Sequence, residues 1–417
     1  MHKQASQIGK WAAQEIEQLL DKHGPRPPGS PAEWAAQQDM AKQMEPWADK
    51  VEAEGFAVRR RAFMGFIPFT VLLTMAAAVL FWFDFAIAGL VLVTLAAIPL
   101  ILEFVMYKQF IDVFFKAYPS HNIIATRKAK NAPKKRIYLV GHADSQYEWR
   151  LNYRLGGLGM KIVLIPAVVG MVICFFANLL KVIFYNVLEM EHILLEWLFL
   201  SAGLAVFLLF PCMIGFLFFQ SRRKSVPGAN DNLSGCYVAM SVIKDMAERD
   251  VRFDDTEVVV LLTGAEEAGL RGAKEFVKRH REKLHDPKVT TAAIGLDTFR
   301  DLAHMAVYNR DMSGTVKHSA EMQQLLYGAG LECGLDLPFS SIYLGACDAA
   351  AFTQAGIHAT GFAAMDPTPP RYYHTRLDNA EMLEPETIAM ASQVTMKAVE
   401  RFAAKGFVNG EKAASKK

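Results

Sequence analysis

The chain has 417 residues, 52% of them hydrophobic, and a formal net charge of +2. So even a balance of charge offers no footprint for a nucleic-acid partner. The five cysteines show no paired spacing, which argues against a disulfide framework or a thiolate zinc knot.

From the N-terminus, Met1 to Lys22 is polar, with Ile8, Trp11, Ile16, Leu19 and Leu20 at helical spacing. It lacks an apolar h-region and a cleavage site, so a helix packed on a globular domain is expected rather than a signal peptide. A second helical pattern covers Pro31–Glu54. Two apolar blocks then account for the positive mean hydropathy. The first runs from Met64 to Tyr107 and is interrupted by Asp84, with Glu103 near its end. The second runs from Ile162 to Phe219 and is interrupted by Lys181 to His192, with Glu196 just beyond. Each block has room for two spans of about 20 residues. Soluble core helices rarely run so long with charges only near their ends. Four transmembrane helices in two hairpins are therefore predicted: Met64–Phe83 with Phe85–Tyr107, and Ile162–Leu180 with Ile193–Phe219. Pro211 predicts a kink or tilt in the last. Val105–Tyr118 mixes aromatics with lysines; it either lies in the membrane interface or continues the second span.

Arg59, Arg60, Arg61, Lys108, Arg150, Arg154, Lys161, Arg222, Arg223 and Lys224 flank the spans on one side. The turns hold Asp84 in the first hairpin, and Lys181 with Glu189 and Glu191 in the second. The positive-inside rule turns both hairpin tips outward and leaves the remainder in the cytoplasm of an inner or plasma membrane. Membrane lipids are the expected partners of the basic clusters.

Roughly 310 residues remain outside the spans, enough for one large domain. Strand-like runs are Asn122–Thr126, Arg136–Val140, Glu257–Thr263, Ala292–Leu296, Met305–Tyr308 and Ala359–Ala363. Helix-like runs are Leu233–Arg249, Leu270–Lys283, Gly314–Gly328, Asp348–Ala355 and Pro385–Ala404. Continuous apolar strands such as 258–262 predict an α/β fold, a mostly parallel central sheet with helices on both faces. The expected organisation is one α/β domain at 1–62, 108–160 and 221–409, hairpins at 63–107 and 161–220, and a flexible tail at 410–417.

Acidic residues and histidines gather just after these strands. They are His142 and Asp144 in Gly-His-Ala-Asp-Ser, Asp231 in Gly-Ala-Asn-Asp-Asn-Leu-Ser-Gly, Glu266 and Glu267, Asp297, and His374. Two imidazoles with several carboxylates and no thiolate suit a pair of zinc ions. Each residue alone has a plainer reading. A lone histidine is more often structural, Glu266-Glu267 would stabilise a helix start, and Asp231 could be a turn or N-cap. Location strengthens the joint reading: His142, Glu266 and Asp297 fall beyond the carboxyl ends of strands, where such folds bind ligands.

The succession Gly24-Pro-Arg-Pro-Pro-Gly-Ser, Asn122-Ile-Ile-Ala, Gly141-His-Ala-Asp-Ser, Pro227-Gly-Ala-Asn-Asp-Asn-Leu-Ser-Gly, Gly264-Ala-Glu-Glu-Ala-Gly-Leu-Arg-Gly, Leu296-Asp and Tyr373-His-Thr resembles the M28 family of zinc peptidases. The resemblance runs collinearly through nearly all the chain outside the spans. It implies a phosphorylase/hydrolase-like α/β fold with two Zn2+ ions. By position, His142 and Asp297 would hold one zinc, Glu267 and His374 the other, and Asp231 would bridge them. Glu266 would be the general base, taking a proton from a zinc-held water, and Asp144 would orient His142. Cys347-Asp348-Ala349 departs from the family's Ser-Asp-His run, which puts substrate contacts in question rather than the zinc ligands. The two hairpins are departures as well; the second starts close behind His142, which leads us to expect the site near the bilayer surface. The expected activity is that of a membrane-anchored aminopeptidase acting on a peptide or hydrophobic amide. Glutaminyl cyclisation and acyl-amino-acid hydrolysis are alternatives within the same chemistry. A non-catalytic membrane scaffold is disfavoured, because every ligand and base position is filled.

Overall fold

The computed structural model describes residues 3–342 and 345–407, so the tail expected at 410–417 lies outside the described residues. The chain divides into two units. The first comprises residues 1–60, 117–147 and 224–417, the second residues 61–116 and 148–223.

In the first unit, the valine- and leucine-rich runs become the middle of a sheet. Its strands are β1 (Lys50–Val58), β2 (Tyr118–Arg127), β3 (Lys135–His142), β6 (Thr256–Thr263), β7 (Thr290–Phe299), β8 (Met305–Asp311), β9 (Val316–Lys317), β10 (Phe339–Ser341) and β11 (His358–Ala364). A separate two-stranded sheet, most of whose residues fall in the second unit, pairs β4 (Tyr147–Trp149) with β5 (Gln220–Ser225). The main order is β1-β2-β6-β3-β7-β11-β8-β10, with β9 beside β8. The four central strands β6, β3, β7 and β11 are parallel. Antiparallel pairs join β1 to β2, β2 to β6 and β11 to β8.

Alternation sends successive side chains to opposite faces. Ile137, Leu139, Val258, Val260 and Leu262 enter one core with Ile16, Met40, Tyr237 and Phe402. Tyr138, Val140, Val259 and Leu261 enter another with Phe276 and Phe352. Helices thus cover both faces, which is why these strands read as continuous apolar runs. The N-terminal segment forms the helix Lys3–His23 and buries Ala12, Ile16 and Leu19, as expected.

Two expectations fail locally. The helix starting at Pro31 stops at Met44, and Lys50–Val58 is a strand paired with β2. Pro46 removes an N–H and disfavours helical backbone before it. The helix expected from Gly314 begins at Ala320, because the Ser319 hydroxyl accepts the Met322 N–H as an N-cap. Val316–Lys317 pairs instead with β8.

In the second unit, four helices are long and apolar enough to cross a membrane: Ala62–Trp82, Ala86–Val105, Arg150–Val187 and Ile193–Leu217. The third starts at Arg150, twelve residues ahead of the expected Ile162, and contains a non-helical Gly156 at φ 71°. The fourth breaks at Leu209, with Pro211 in the first turn of Phe210–Leu217, where proline lacks only an N–H that would go unbonded anyway. Leu72, Ile87, Trp197 and Leu204 are exposed, a surface that lipid would solvate. Several polar groups inside the unit are partnered. The Thr70 hydroxyl donates to the Ala96 carbonyl, Lys181 donates to the Phe81 carbonyl and pairs with Asp84, and Glu103 accepts from the Phe110 and Ile111 N–H groups. Within Val105–Tyr118, helix ends at Val105 and a short turn at Asp112–Phe114 leaves Val113 and Phe114 exposed.

Candidate metal centre

His142 is the last residue of β3 and stands beside Thr263, the last of β6, across a parallel pair. Glu266 and Glu267 follow in the turn after β6, and Asp297 lies near the end of β7. Asp231 sits in the segment Ala229–Ser234 that leads into the helix Gly235–Glu248. His374 comes from the turn after β11, with its ring stacked on Tyr373 at a centroid distance of 3.8 Å. The structure brings all six together at the carboxyl end of the parallel strands.

The imidazoles converge on Asp231 from both sides. His142 Nε2 lies 3.2 Å from Asp231 Oδ1, and His374 Nε2 lies 2.8 Å from Asp231 Oδ2. His142 Nε2 is also 4.0 Å from Asp297 Oδ1, and His374 Nε2 is 3.2 Å from Glu267 Oε1. Three compact ligand-type groups result: His142, Asp231 and Asp297; Asp231, Glu267 and His374; and His142, Glu266 and Glu267. The first two share Asp231. Glu266 belongs only to the third; its Oε2 lies 3.8 Å from His142 Nε2.

Asp144 does more than expected of it. Its carboxylate oxygens accept the N–H groups of Glu266 and Glu267, both at 3.0 Å, and so hold the turn that carries them. Its Oδ1 lies 3.5 Å from His142 Nδ1, while the Asp144 carbonyl lies closer to that ring nitrogen, at 3.2 Å.

Sequence reasoning missed several supports. Asp378, fully buried, accepts the Asn230 and Asp231 N–H groups at 2.9 and 3.0 Å and aligns the shared carboxylate. Glu33 accepts the Ala265 N–H at 2.8 Å and the Ser120 hydroxyl. Arg26 donates to the carbonyls of Ala143, Pro227 and Gly228, clamping the His142 loop to the Asp231 loop. Gln146 Nε2 donates to Glu267 Oε2 at 2.5 Å. The signal for Arg26 was present in Gly-Pro-Arg-Pro-Pro-Gly-Ser, since an arginine between prolines is not an ordinary turn residue. Asp378 and Glu33 carried none, because a lone carboxylate in a polar stretch reads as solvated surface.

The electrostatics are those of a cluster that calls for a cation. Burial drives Glu266 well above the usual carboxylate range, and Glu267, Asp348 and Asp297 add repulsion against the pull of His142. Burial raises Glu267 as well. Burial and the nearby Asp231 charge push Asp297 up to about 8. Burial works to lower both imidazoles but is outweighed. Glu266, Asp144 and Asp231 hold His142 well above the usual range, and Glu267 and Asp231 bring His374 to about 10. Burial would raise Asp231, yet His374 and His142 pull it far below the ordinary value. Two buried oxygens, Asp231 Oδ2 and Glu267 Oε1, both face His374 Nε2, at 2.8 and 3.2 Å. Crowded carboxylates interleaved with imidazoles are a donor set suited to zinc.

Residues 218–399 match the model of peptidase family M28. The fold is similar to that of BSAP, a zinc aminopeptidase from Bacillus subtilis, with a TM-score of 0.57 and 18% identity over 94% of this chain and 95% of that one. It is also similar to a glutaminyl cyclase from an Acidobacteriales bacterium (TM-score 0.56, 12% identity, 96% of each chain). A Zn-dependent exopeptidase from Parabacteroides distasonis gives a TM-score of 0.54 and 12% identity over 94% of this chain and 97% of that one. No curated protein matches the chain.

Proposed function

We infer that this chain, whose residues 218–399 match peptidase family M28, belongs to that family and is a membrane-anchored dizinc aminopeptidase with its peptidase unit in the cytoplasm. The observation that carries this reading is the pair of ligand groups sharing one carboxylate, Asp231. His142 and Asp297 would hold one zinc, Glu267 and His374 the other, with Asp231 common to both. A bound pair supplies Lewis-acid polarisation of the scissile carbonyl and a water of lowered pKa.

The chain's own groups do the rest. Glu266 takes the proton from the attacking water as the C–O bond forms and then returns it to the nitrogen, whereupon the amide C–N bond breaks and the amine leaves. It lies outside the two groups that share Asp231, which leaves it for this role. Asp144 keeps Glu266 and Glu267 aligned through their N–H groups, and Asp378 does the same for Asp231. The four apolar helices anchor the chain, and the basic residues flanking them favour the cytoplasm for both termini.

Zinc analysis of detergent-purified protein, joined to a digest of free-amine and N-blocked peptides, tests this reading. About two zincs per chain in the His142–His374 centre and release of N-terminal residues from free-amine substrates alone are expected. Turnover confined to N-blocked amides, or cyclisation of N-terminal glutamine, would move the site to another amide chemistry. Intact protein that neither retains nor takes up zinc would end the metallohydrolase reading.

A further inference from the structure

A second cluster of ligand-type side chains lies outside the centre just described and shares no residue with it. Asp311 ends β8, His318 follows β9, and Cys347 precedes the helix Ala349–Gln354. All three are buried, with the His318 and Asp311 side chains fully enclosed. Cys347 Sγ lies 3.0 Å and His318 Nε2 3.2 Å from the same oxygen, Asp311 Oδ2. The three ligand atoms lie within 4.8 Å of one another. Around a tetrahedral zinc, with bonds of about 2.0–2.3 Å, ligand atoms sit on the order of 3.3–3.7 Å apart. Small outward shifts of these side chains would therefore seat an ion.

Two further observations point the same way. The other ring nitrogen of His318, Nδ1, is 2.7 Å from the Thr353 hydroxyl. If that nitrogen carries the proton, Nε2 turns its lone pair toward Asp311 and Cys347, an outer hydrogen bond of the kind that orients metal-binding histidines. The carboxylate is braced too. Asp311 Oδ1 accepts the Met312 N–H at 2.6 Å and the Cys347 N–H at 3.1 Å, and Oδ2 lies 3.3 Å from the Cys347 N–H.

We propose that Asp311, His318 and Cys347 form a third metal site, holding one divalent ion of the zinc class separately from the catalytic pair. The mix of one thiolate, one imidazole and one carboxylate selects a borderline-soft ion over calcium or magnesium. On binding, the Cys347 S–H proton is released and the thiolate becomes a ligand. The ion would staple the β8–β9 turn to the loop ahead of Asp348. The Thr263 hydroxyl donates to Asp348 Oδ2 at 2.5 Å, and Thr263 stands beside His142 in register, so the staple would brace the floor of the catalytic centre.

Cobalt(II) distinguishes this site from the catalytic pair, whose donors include no sulfur. Full-length detergent-purified protein, stripped of metal and titrated with Co2+ in a thiol-free buffer, should develop a thiolate-to-cobalt charge-transfer band in the near ultraviolet. Cys347→Ser should abolish it. Cys236→Ser should keep it, because that buried thiol donates to the His142 carbonyl instead. Asp231→Asn should also keep it, so failure of the dizinc reading would leave this one standing. His318→Gln, a second route if Cys347→Ser folds poorly, should weaken Co2+ binding at the band at least tenfold. A folded wild-type protein that takes up Co2+ without the band, or a band that survives Cys347→Ser, overturns the proposal.

Discussion

At the scale of single residues, the proposed mechanism makes Glu266 the base rather than a ligand. Glu266→Gln removes a proton acceptor but no ligand, so turnover should fall by about 10^2–10^4-fold with zinc content unchanged. Parallel kinetics and metal analysis check this; near-normal activity would mean another group takes the proton. Asp231→Asn should instead release metal from both positions, because both groups that share that carboxylate depend on it. His142, Glu266 and Asp297 were legible because each follows a strong strand signal, and Asp231 and His374 through the collinear motifs that resemble the family. Their supports were not. Asp378 and Glu33 lie far from their partners in the chain, at Asp231 and Ala265, and only the folded backbone brings the pairs together.

At the scale of elements, close packing between helix and strand sets the position of the ligand loops. The helix Gly235–Glu248 starts against β7, where a Cβ on Gly235 would come within 2.3 Å of the Leu296 carbonyl oxygen. Leu296 immediately precedes Asp297, so any retreat of the strand moves a candidate ligand. Gly235→Ala should therefore destabilise the protein by about 1–3 kcal/mol and lower its zinc retention, read by thermal denaturation beside metal analysis. An unchanged midpoint with full zinc would show that the helix can shift freely. The central strands were readable because burial on both faces makes them continuously apolar. The strand β1 escaped notice for the opposite reason. It lies at the sheet edge and exposes Glu52, Ala53 and other residues, so its pattern is too weak to outweigh the helical composition before it.

At the scale of the whole molecule, charge bears on stability and, on the proposed topology, on orientation. Without metal, the buried carboxylates Glu266, Glu267 and Asp297 bind protons more tightly folded than unfolded, and so do His142 and His374. The folded chain then carries more protons than the unfolded one between about pH 4 and pH 10, and stability falls as pH rises across that window. Asp231, shifted the other way, acts only near and below its ordinary carboxylate value. Chelated protein should accordingly melt at a lower temperature at pH 9 than at pH 5, and zinc should flatten the trend; a melting point that rises with pH after chelation would contradict the charge balance. Orientation is open to cysteine labelling in intact cells, with sites near Asp84, near Asn186 and at the C-terminus. The first two should react with an impermeant reagent and the last should not; the reverse would put the peptidase unit outside. The apolar blocks made the four helices plain from composition, but the early start of the third at Arg150 was hidden, since its first turns are polar and carry Gly156. The division of the first unit among residues 1–60, 117–147 and 224–417 has one more consequence. Enzymes tethered by a single terminal span can be clipped free and go on working. Here His142 lies on one side of the second apolar block and the other five members of the centre on the far side, so, on the proposed anchored reading, a cut within that block would break the chain between His142 and the rest of the centre rather than release one intact piece.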